Sequence, residues 1–384
     1  MKILIITKHY LAEKGGGSNG SRAYIKALRD IYGGCTIIYP DKREDPMQHL
    51  FGDDGVEYIP CYDDRSFIRK GIDVYLGKIH RTLGKVKEVL SQQKFDIIFI
   101  DHSSIANGVL SFVRKHTESR VVTIHHNFEV NYLKDNHGYA LIRIPMIYYS
   151  IKAEKDSLFK SDLGLTVTEN DRKCLIEHYG VDARKVEYFG SFFDNDIKPN
   201  EFNATGKSDR TRLIITCALY FPQNTGPVLD FLRNYLPRIK ELYPQINLTV
   251  AGRNPSQEIM EECSRHKDIS LVPNPVDMGE VLEQGDIYVC PTDRGSGIKL
   301  RVFDGLKYGM PVILHQNSVW GYEPMVEKGI SYTYHDVDSF ISALKSVMSG
   351  NVSTVDVKKA FSEYYSFSAG KERIRRALEK HNLL

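Results

Sequence analysis

The feature that most constrains this chain is an alternation, run through twice, of short β-branched segments with longer amphipathic ones. In the first half, residues 2–7, 36–39, 96–101, 121–125 and 164–168 read as strands, with stretches of helical spacing among them. Strands that alternate with helices build a parallel sheet flanked by those helices. After a polar stretch at 195–210 the pattern restarts. Residues 213–218, 247–251, 269–272, 286–290 and 311–314 read as strands, and 227–243 and 338–348 as helices. A chain of 384 residues suits two units, at roughly 100 to 200 residues per domain. The halves share an architecture, without a repeat of solenoid length. The expected fold class is α/β.

Hydrophobic residues make up 42% and charged residues 26%, the composition of a globular chain rather than a disordered one. A formal net charge of +2 provides no global attraction to nucleic acid, so no nucleic-acid partner is expected and local charge has to be read instead. No apolar run reaches about 18 residues, and the opening MKILIITKHY is too short in its apolar part for a signal peptide. The expected location is cytoplasmic. Six cysteines lie scattered without a CxxC or Cys/His cluster, so no metal site is expected, and Cys217 and Cys290 sit in strand-like runs as small hydrophobes.

Residues 67–90 carry Ile68, Ile72, Tyr75, Ile79, Leu83, Val86 and Leu90 at steps of three or four, which predicts one long amphipathic helix. From Arg65 to Lys87 seven basic residues face a single acid, Asp73. Residues 139–160 mix Tyr148, Tyr149 and Phe159 with Arg143, Lys152, Lys155 and Lys160. Solvated charge over a packed apolar face fits both regions, and so does contact with an anionic membrane surface.

Three places carry candidate chemistry. After the first strand come Gly15, Gly16, Gly17, Ser18, Asn19 and Gly20, ahead of a helix expected near Arg22. The run serves either as a plain turn or as an anion cradle, and its spacing is not that of a dinucleotide fingerprint. The segment from Gly295 to Pro311, GSGIKLRVFDGLKYGMP, is more telling. A glycine turn (Gly295, Ser296, Gly297, Ile298) feeding a helix offers N–H groups to a diphosphate, with Lys299 and Arg301 adding charge. One helical turn on, Asp304 can accept both hydroxyls of a ribose. His125, His126, Asn127 and Glu129 follow a strand, at the sheet edge where open α/β folds bind ligands. Glu169, Asn170 and Asp171 end another, either as a helix cap or as ligand contacts.

GSGIKLRVFDGLKYGMPVI resembles the donor-site signature of retaining GT-B glycosyltransferases of the family 4 type, and CALYFPQNTGPVLDFLRNYLP, LTVAGRNP and LVPNPVDMGEVLEQGDIYVCP resemble that family's neighbouring segments. The resemblance implies two Rossmann-like domains facing an interdomain cleft. These are an acceptor-side domain at 1–190, a nucleotide-sugar domain at 191–365, and a C-terminal helix at 366–384 packing back toward the first domain. It puts Asp304 in the place of the second Glu of the family's E-x7-E motif and Ser296 in the place of the first, a departure that bears on sugar recognition. It further implies that Val276 flanks the nucleobase, that Arg253 faces the phosphates, that Gly16 and Gly17 serve the donor, and that His126 touches the transferred sugar.

The activity so implied is transfer of a sugar from a UDP- or GDP-type donor to a glycan or lipid-linked acceptor, with His126, Lys299 and Asp304 as catalytic groups. No cofactor or metal is needed, and the setting is polysaccharide or glycoconjugate assembly at the inner face of the membrane. A nucleotide-sugar 2-epimerase of the same architecture and an inactive partner subunit are the alternatives.

Overall fold

The computed structural model describes residues 1–13, 15–47, 51, 55–78, 80–137, 141–195, 211–350 and 352–384. Ile79, Tyr139 and the polar stretch 196–210 lie outside the described residues. The chain divides into two compact units, Met1–Asn195 with Phe367–Leu384, and Asp196–Ser366.

Unit 1 is built on β1 (Ile3–Thr7), β2 (Cys35–Asp41), β3 (Val56–Tyr62), β4 (Ile97–Asp101), β5 (Arg120–His125), β6 (Leu163–Thr166) and β7 (Val186–Tyr188). They form one parallel sheet in the order β3-β2-β1-β4-β5-β6-β7. Helices cover both faces, so β1 and β4 are buried along their whole length and read as continuous apolar runs. Leu4, Ile6, Ile98 and Ile100 pack against Val86, Val89, Val109 and Val113 in one core. Two strands of this unit escape the sequence reading. β3 is an edge strand with Pro60 inside it and only partial burial, and β7 has three residues.

The single helix expected over 67–90 is corrected to two, Phe67–Tyr75 and Thr82–Gln92. Gly77 takes φ +71 at the break, a left-handed conformation that ends a helix, and its backbone lies against the Tyr149 ring. The glycine run is corrected too. The helix after β1 is Gly16–Tyr32, so Gly16 and Gly17 are its first turn rather than a loop ahead of Arg22, and Asn19 N–H bonds Gly15 carbonyl at 2.8 Å.

Unit 2 contains β8 (Arg212–Ala218), β9 (Asn247–Arg253), β10 (Ile269–Pro273), β11 (Ile287–Cys290), β12 (Val312–His315) and β13 (Ser331–Tyr334). Their order is β10-β9-β8-β11-β12-β13, again parallel throughout. Leu213, Ile215, Val250, Val289 and Ile313 meet Leu232, Tyr334 and Phe340 in its core. The helix read at 227–243 starts earlier, at Pro222. It runs as Pro222–Asp230, a π-turn Phe231–Tyr235, and Leu236–Leu242. Pro227, a residue that ordinarily opens a helix, here sits inside one.

In each sheet the strand order reverses direction at one place, between β1 and β4 and between β8 and β11. Connections leave those neighbours toward opposite faces, which opens a crevice beyond the strands' carboxyl ends.

Candidate functional site

The β8/β11 crevice of unit 2 is floored by the turn after β11. Gly295 and Gly297 hold φ +88 and +71, which only glycine adopts without strain. Gly295 has a second constraint, since a Cβ there would stand 1.7 Å from Gln223 Nε2. The Gln223 amide, at the start of the helix after β8, donates to the Arg294 carbonyl at 2.8 Å and ties the two sides of the crevice together. Lys299 does not project toward open space. It is buried, and its ammonium donates to the carbonyls of Gly295 and Ser296 at 3.1 Å each and of Gly297 at 3.4 Å. Tyr322 O–H donates to the Lys299 carbonyl at 3.0 Å. A cation that gathers three carbonyls turns the opposite face of the turn, its N–H groups, outward. Among the described residues, no protein acceptor meets the N–H of Gly297 or Ile298.

The helix expected directly after the glycine turn is corrected here. The helix is Val302–Lys307. It is entered through tight turns, in which Val302, Phe303 and Asp304 N–H bond the carbonyls of Lys299, Leu300 and Arg301 at 2.9 to 3.1 Å. The left-handed glycines prevent an earlier start. Anion-binding capacity therefore lies in a glycine nest rather than in a helix end.

Arg301 also differs from expectation. Its guanidinium turns inward and donates to Thr292 Oγ1, beside Cys217 and Cys290, and so braces the end of β11. Asp304 is partly buried in the first turn of the helix. Burial pushes its carboxyl up to about 6, against the pull of Lys307 and Arg301. Arg253, last residue of β9, and Val276, in the connection after β10, are both exposed to solvent. Gln223 and Tyr322 were not singled out from sequence; Gln223 carries no charge to mark it and Tyr322 lies far along the chain.

At the β1/β4 crevice of unit 1, His126 follows β5 and its Nε2 lies 2.6 Å from Asp101 Oδ1. Asp101 is fully buried at the end of β4. Burial would raise its carboxyl, but the adjoining His126 and then His9 hold it at about 2. It is thus a carboxylate, and Nε2 is the donor. Its second oxygen accepts from Thr7 Oγ1 at 2.7 Å, and Thr7 Oγ1 accepts from His9 N–H at 3.1 Å. This chain of bonds locks the ends of β1 and β4 to His126.

His102, just past β4, has φ +96, a conformation costing a non-glycine residue roughly 1–3 kcal/mol. Ser104 N–H donates to its Nδ1 at 3.2 Å, so its ring proton is on Nε2, 3.3 Å from Glu129 Oε1. Burial, then Lys8 nearby, keeps His102 neutral. The rings of His9 and His102 lie 5.4 and 5.2 Å from that of His126. His9 rests on Gly17, where a Cβ would come within 2.4 Å of the imidazole.

His125 points away into the core, its Nε2 3.5 Å from Ser157 Oγ, and burial takes it down to about 3. Asp171 accepts from Phe128 N–H and Thr168 Oγ1, and Thr168 caps the helix Glu169–Tyr179. Asp101 and His102 went unmarked in the sequence, although an acid closing the apolar run IIFID was a signal available there. Among the described residues, no three His, Cys, Asp or Glu side chains come together to hold a metal ion.

Residues 211–349 match the family model for glycosyl transferases group 1. The match thus falls within unit 2. The matched segment includes Gln223, the 295–299 turn and Asp304. No curated protein matches the chain. Among solved structures, the chain resembles HepE of Anabaena in complex with UDP and glucose, with 11% identity over 99% of each chain and a TM-score of 0.68. It resembles the lipopolysaccharide outer core galactosyltransferase WaaB at 14% identity over 99% of each chain, TM-score 0.65. An Escherichia coli structure described as trehalose-6-phosphate bound with UDP-2-fluoro glucose aligns over 100% of both chains at 12% identity, TM-score 0.66. At such identities the likeness is one of fold. Units 1 and 2 have the two Rossmann-like sheets of the GT-B fold.

Proposed function

We propose that this chain transfers a hexose-type sugar from a nucleotide diphosphate donor, of UDP or GDP type, to a hydroxyl of a glycan or lipid-linked acceptor, with retention at the anomeric carbon. The observation that carries the proposal is the glycine nest of 295–298 beside the partly buried carboxyl of Asp304, inside the segment that matches glycosyl transferases group 1. In this reading Asp304 accepts the ribose hydroxyls, and the N–H groups of Gly297 and Ile298 face the diphosphate.

Lys299 acts by holding the turn in that shape, with its charge close behind it. Arg253 meets the phosphates and Val276 flanks the base, while Gly16 and Gly17 let unit 1 backbone approach the donor. Ser296 reads the sugar through a hydroxyl and its backbone instead of the carboxylate expected there. In unit 1, the acceptor-side unit, His126 keeps Nε2 on Asp101 and directs Nδ1 to a sugar hydroxyl.

The bond from the anomeric carbon to the diphosphate oxygen breaks, and the acceptor oxygen bonds that carbon from the same face. The acceptor proton passes to the departing diphosphate oxygen. Amides aimed at the oxygen that gains charge lower the barrier, since they need not reorganise as it forms. No covalent intermediate is required. A UDP-sugar donor enters this reading by analogy with neighbours that bind UDP or a UDP-glucose analogue, and the GDP type rests on the resemblance of the donor-site segment. Assembly of a surface polysaccharide or glycoconjugate is the setting that suits such an acceptor.

The test is titration calorimetry of the purified chain against UDP-, GDP-, dTDP- and ADP-sugars, followed by transfer assays with the donor that binds. Asp304→Ala is expected to remove donor binding while keeping the native circular dichroism spectrum. His126→Ala is expected to lower turnover far more than donor affinity. Wild-type donor binding by folded Asp304→Ala would overturn the assignment.

A further inference from the structure

The sequence leaves open whether the apolar stripe of 67–90 packs inward or meets a membrane, and in the structure its first part is uncovered. Phe67 is 92% exposed and Ile68 74%, and Leu141, at the entry to the helix Ile144–Lys160, is 83% exposed. Among the described residues, eight of the seventeen exposed large hydrophobic side chains fall within 67–76 and 141–148. The two segments are neighbours. Tyr149 O–H donates to the Tyr75 carbonyl at 3.4 Å, and the Tyr149 ring packs on Gly77. Ile144, Tyr148 and Lys152 follow at steps of four, on one face of their helix.

The charge within the two segments is mostly basic, and the exposed acids just ahead of the first are paired, Asp63 with Arg65 and Lys70 and Asp64 with Arg43. Residues 65–78 contain Arg65, Arg69, Lys70 and Lys78 and a single acid, Asp73, which is 3% exposed and paired with Arg65 and Arg69. Residues 141–155 contain Arg143, Lys152 and Lys155 and a single acid, Glu154. Glu154 is fully buried, accepting from Glu129 N–H and Tyr179 O–H at 2.8 Å. Asp73 and Glu154 are therefore withdrawn from the surface, while Lys70, Lys152, Lys155 and the apolar tips remain on it.

We propose that the helix Phe67–Tyr75 and the start of the helix Ile144–Lys160 together dock unit 1 onto an anionic lipid bilayer. Apolar side chains within a basic surround match the two layers of such a membrane, acyl chains below and phosphate headgroups above. An acidic protein would answer the lysines, but it would also have to offer a pocket for each projecting apolar tip. A bilayer accepts them at any spacing. The surface belongs to unit 1 alone, so the inference does not depend on the transfer reaction.

The experiment is flotation of the full chain with phosphatidylcholine vesicles, with and without phosphatidylglycerol, in the absence of any sugar nucleotide. Binding is expected only with phosphatidylglycerol and is expected to weaken as salt rises. The triple variant Phe67→Ser, Ile68→Ser, Leu141→Ser alters exposed side chains and should keep its circular dichroism spectrum while binding at least tenfold more weakly. Lys70→Gln and Lys152→Gln should each cost about fivefold, the loss of one lysine's attraction to an anionic surface. Failure of the folded wild-type chain to float with anionic vesicles overturns the proposal, as does undiminished flotation of the triple variant. A wild-type dimer that the triple variant converts to monomer, without vesicle binding by either, would assign the face to a second copy of the chain.

Discussion

Asp304 sits in the first turn of its helix with a carboxyl raised to about 6, chiefly by burial. An acid whose folded pKa lies above its ordinary value of 3.8 is harder to ionise in the native protein than in the unfolded chain. The penalty is absent below that ordinary value, grows as pH rises through about 6, and is complete above it. About two pKa units correspond to roughly 3 kcal/mol at most. Asp304→Asn is therefore expected to raise stability at pH 7.5 by about 1–3 kcal/mol. In urea unfolding, that gain should vanish once both forms of the acid are protonated. Equal stability of the two proteins at pH 7.5 would contradict the burial argument. Donor affinity of the wild type should fall as pH drops through about 6, because a protonated Asp304 accepts hydroxyls poorly. A partly buried acid that disfavours the protein holding it suits the binding role proposed for Asp304.

At the scale of elements, left-handed glycines decide where helices stop and turns begin. Gly77 divides what periodicity alone makes one helix, and Gly295 and Gly297 delay the start of Val302–Lys307. Gly77→Ala would combine strain at φ +71 with a Cβ 2.7 Å from the Tyr149 ring. It is expected to cost about 1–3 kcal/mol in urea unfolding. A neutral effect would mean that the contact between the helices Phe67–Tyr75 and Ile144–Lys160 is loose enough to yield. The parallel strands were readable because burial on both faces makes them continuous apolar runs. β3, β7 and β13 were not, being edge, short or half-polar strands whose stability comes from their neighbours.

At the scale of the molecule, the last helix, Phe367–Lys380, belongs to the unit that begins the chain. Arg373 donates to the Phe189 carbonyl at 2.6 Å, Lys380 reaches Glu187 at 2.6 Å, and Gly370 lies flat on the Phe192 ring. A Cβ at Gly370 would stand 1.9 Å from Phe192 Cγ. Gly370→Val is thus expected to lower the melting temperature of unit 1 by several degrees, from overpacking of about 1–3 kcal/mol. An unchanged melting temperature would show that the tail adds nothing to that unit.

The sequence by itself determined the α/β class, the two-fold restart of the pattern and most inner strands, and it singled out His126 and the segment from Gly295 to Asp304 as candidates. Each of these is written in local spacing, in apolar runs, glycines and charged groups within one or two turns of each other. Only the tertiary structure decided what those groups face. Lys299 and Arg301 look alike in sequence as phosphate cations, yet one gathers the carbonyls of its own turn and the other braces β11 through Thr292. Asp101, Gln223 and Tyr322 took their roles from partners 25, 71 and 23 residues away along the chain. The apolar stripe of Phe67–Tyr75 is a core stripe by periodicity and a surface by packing, because periodicity reports which side chains share a face and not whether anything covers it.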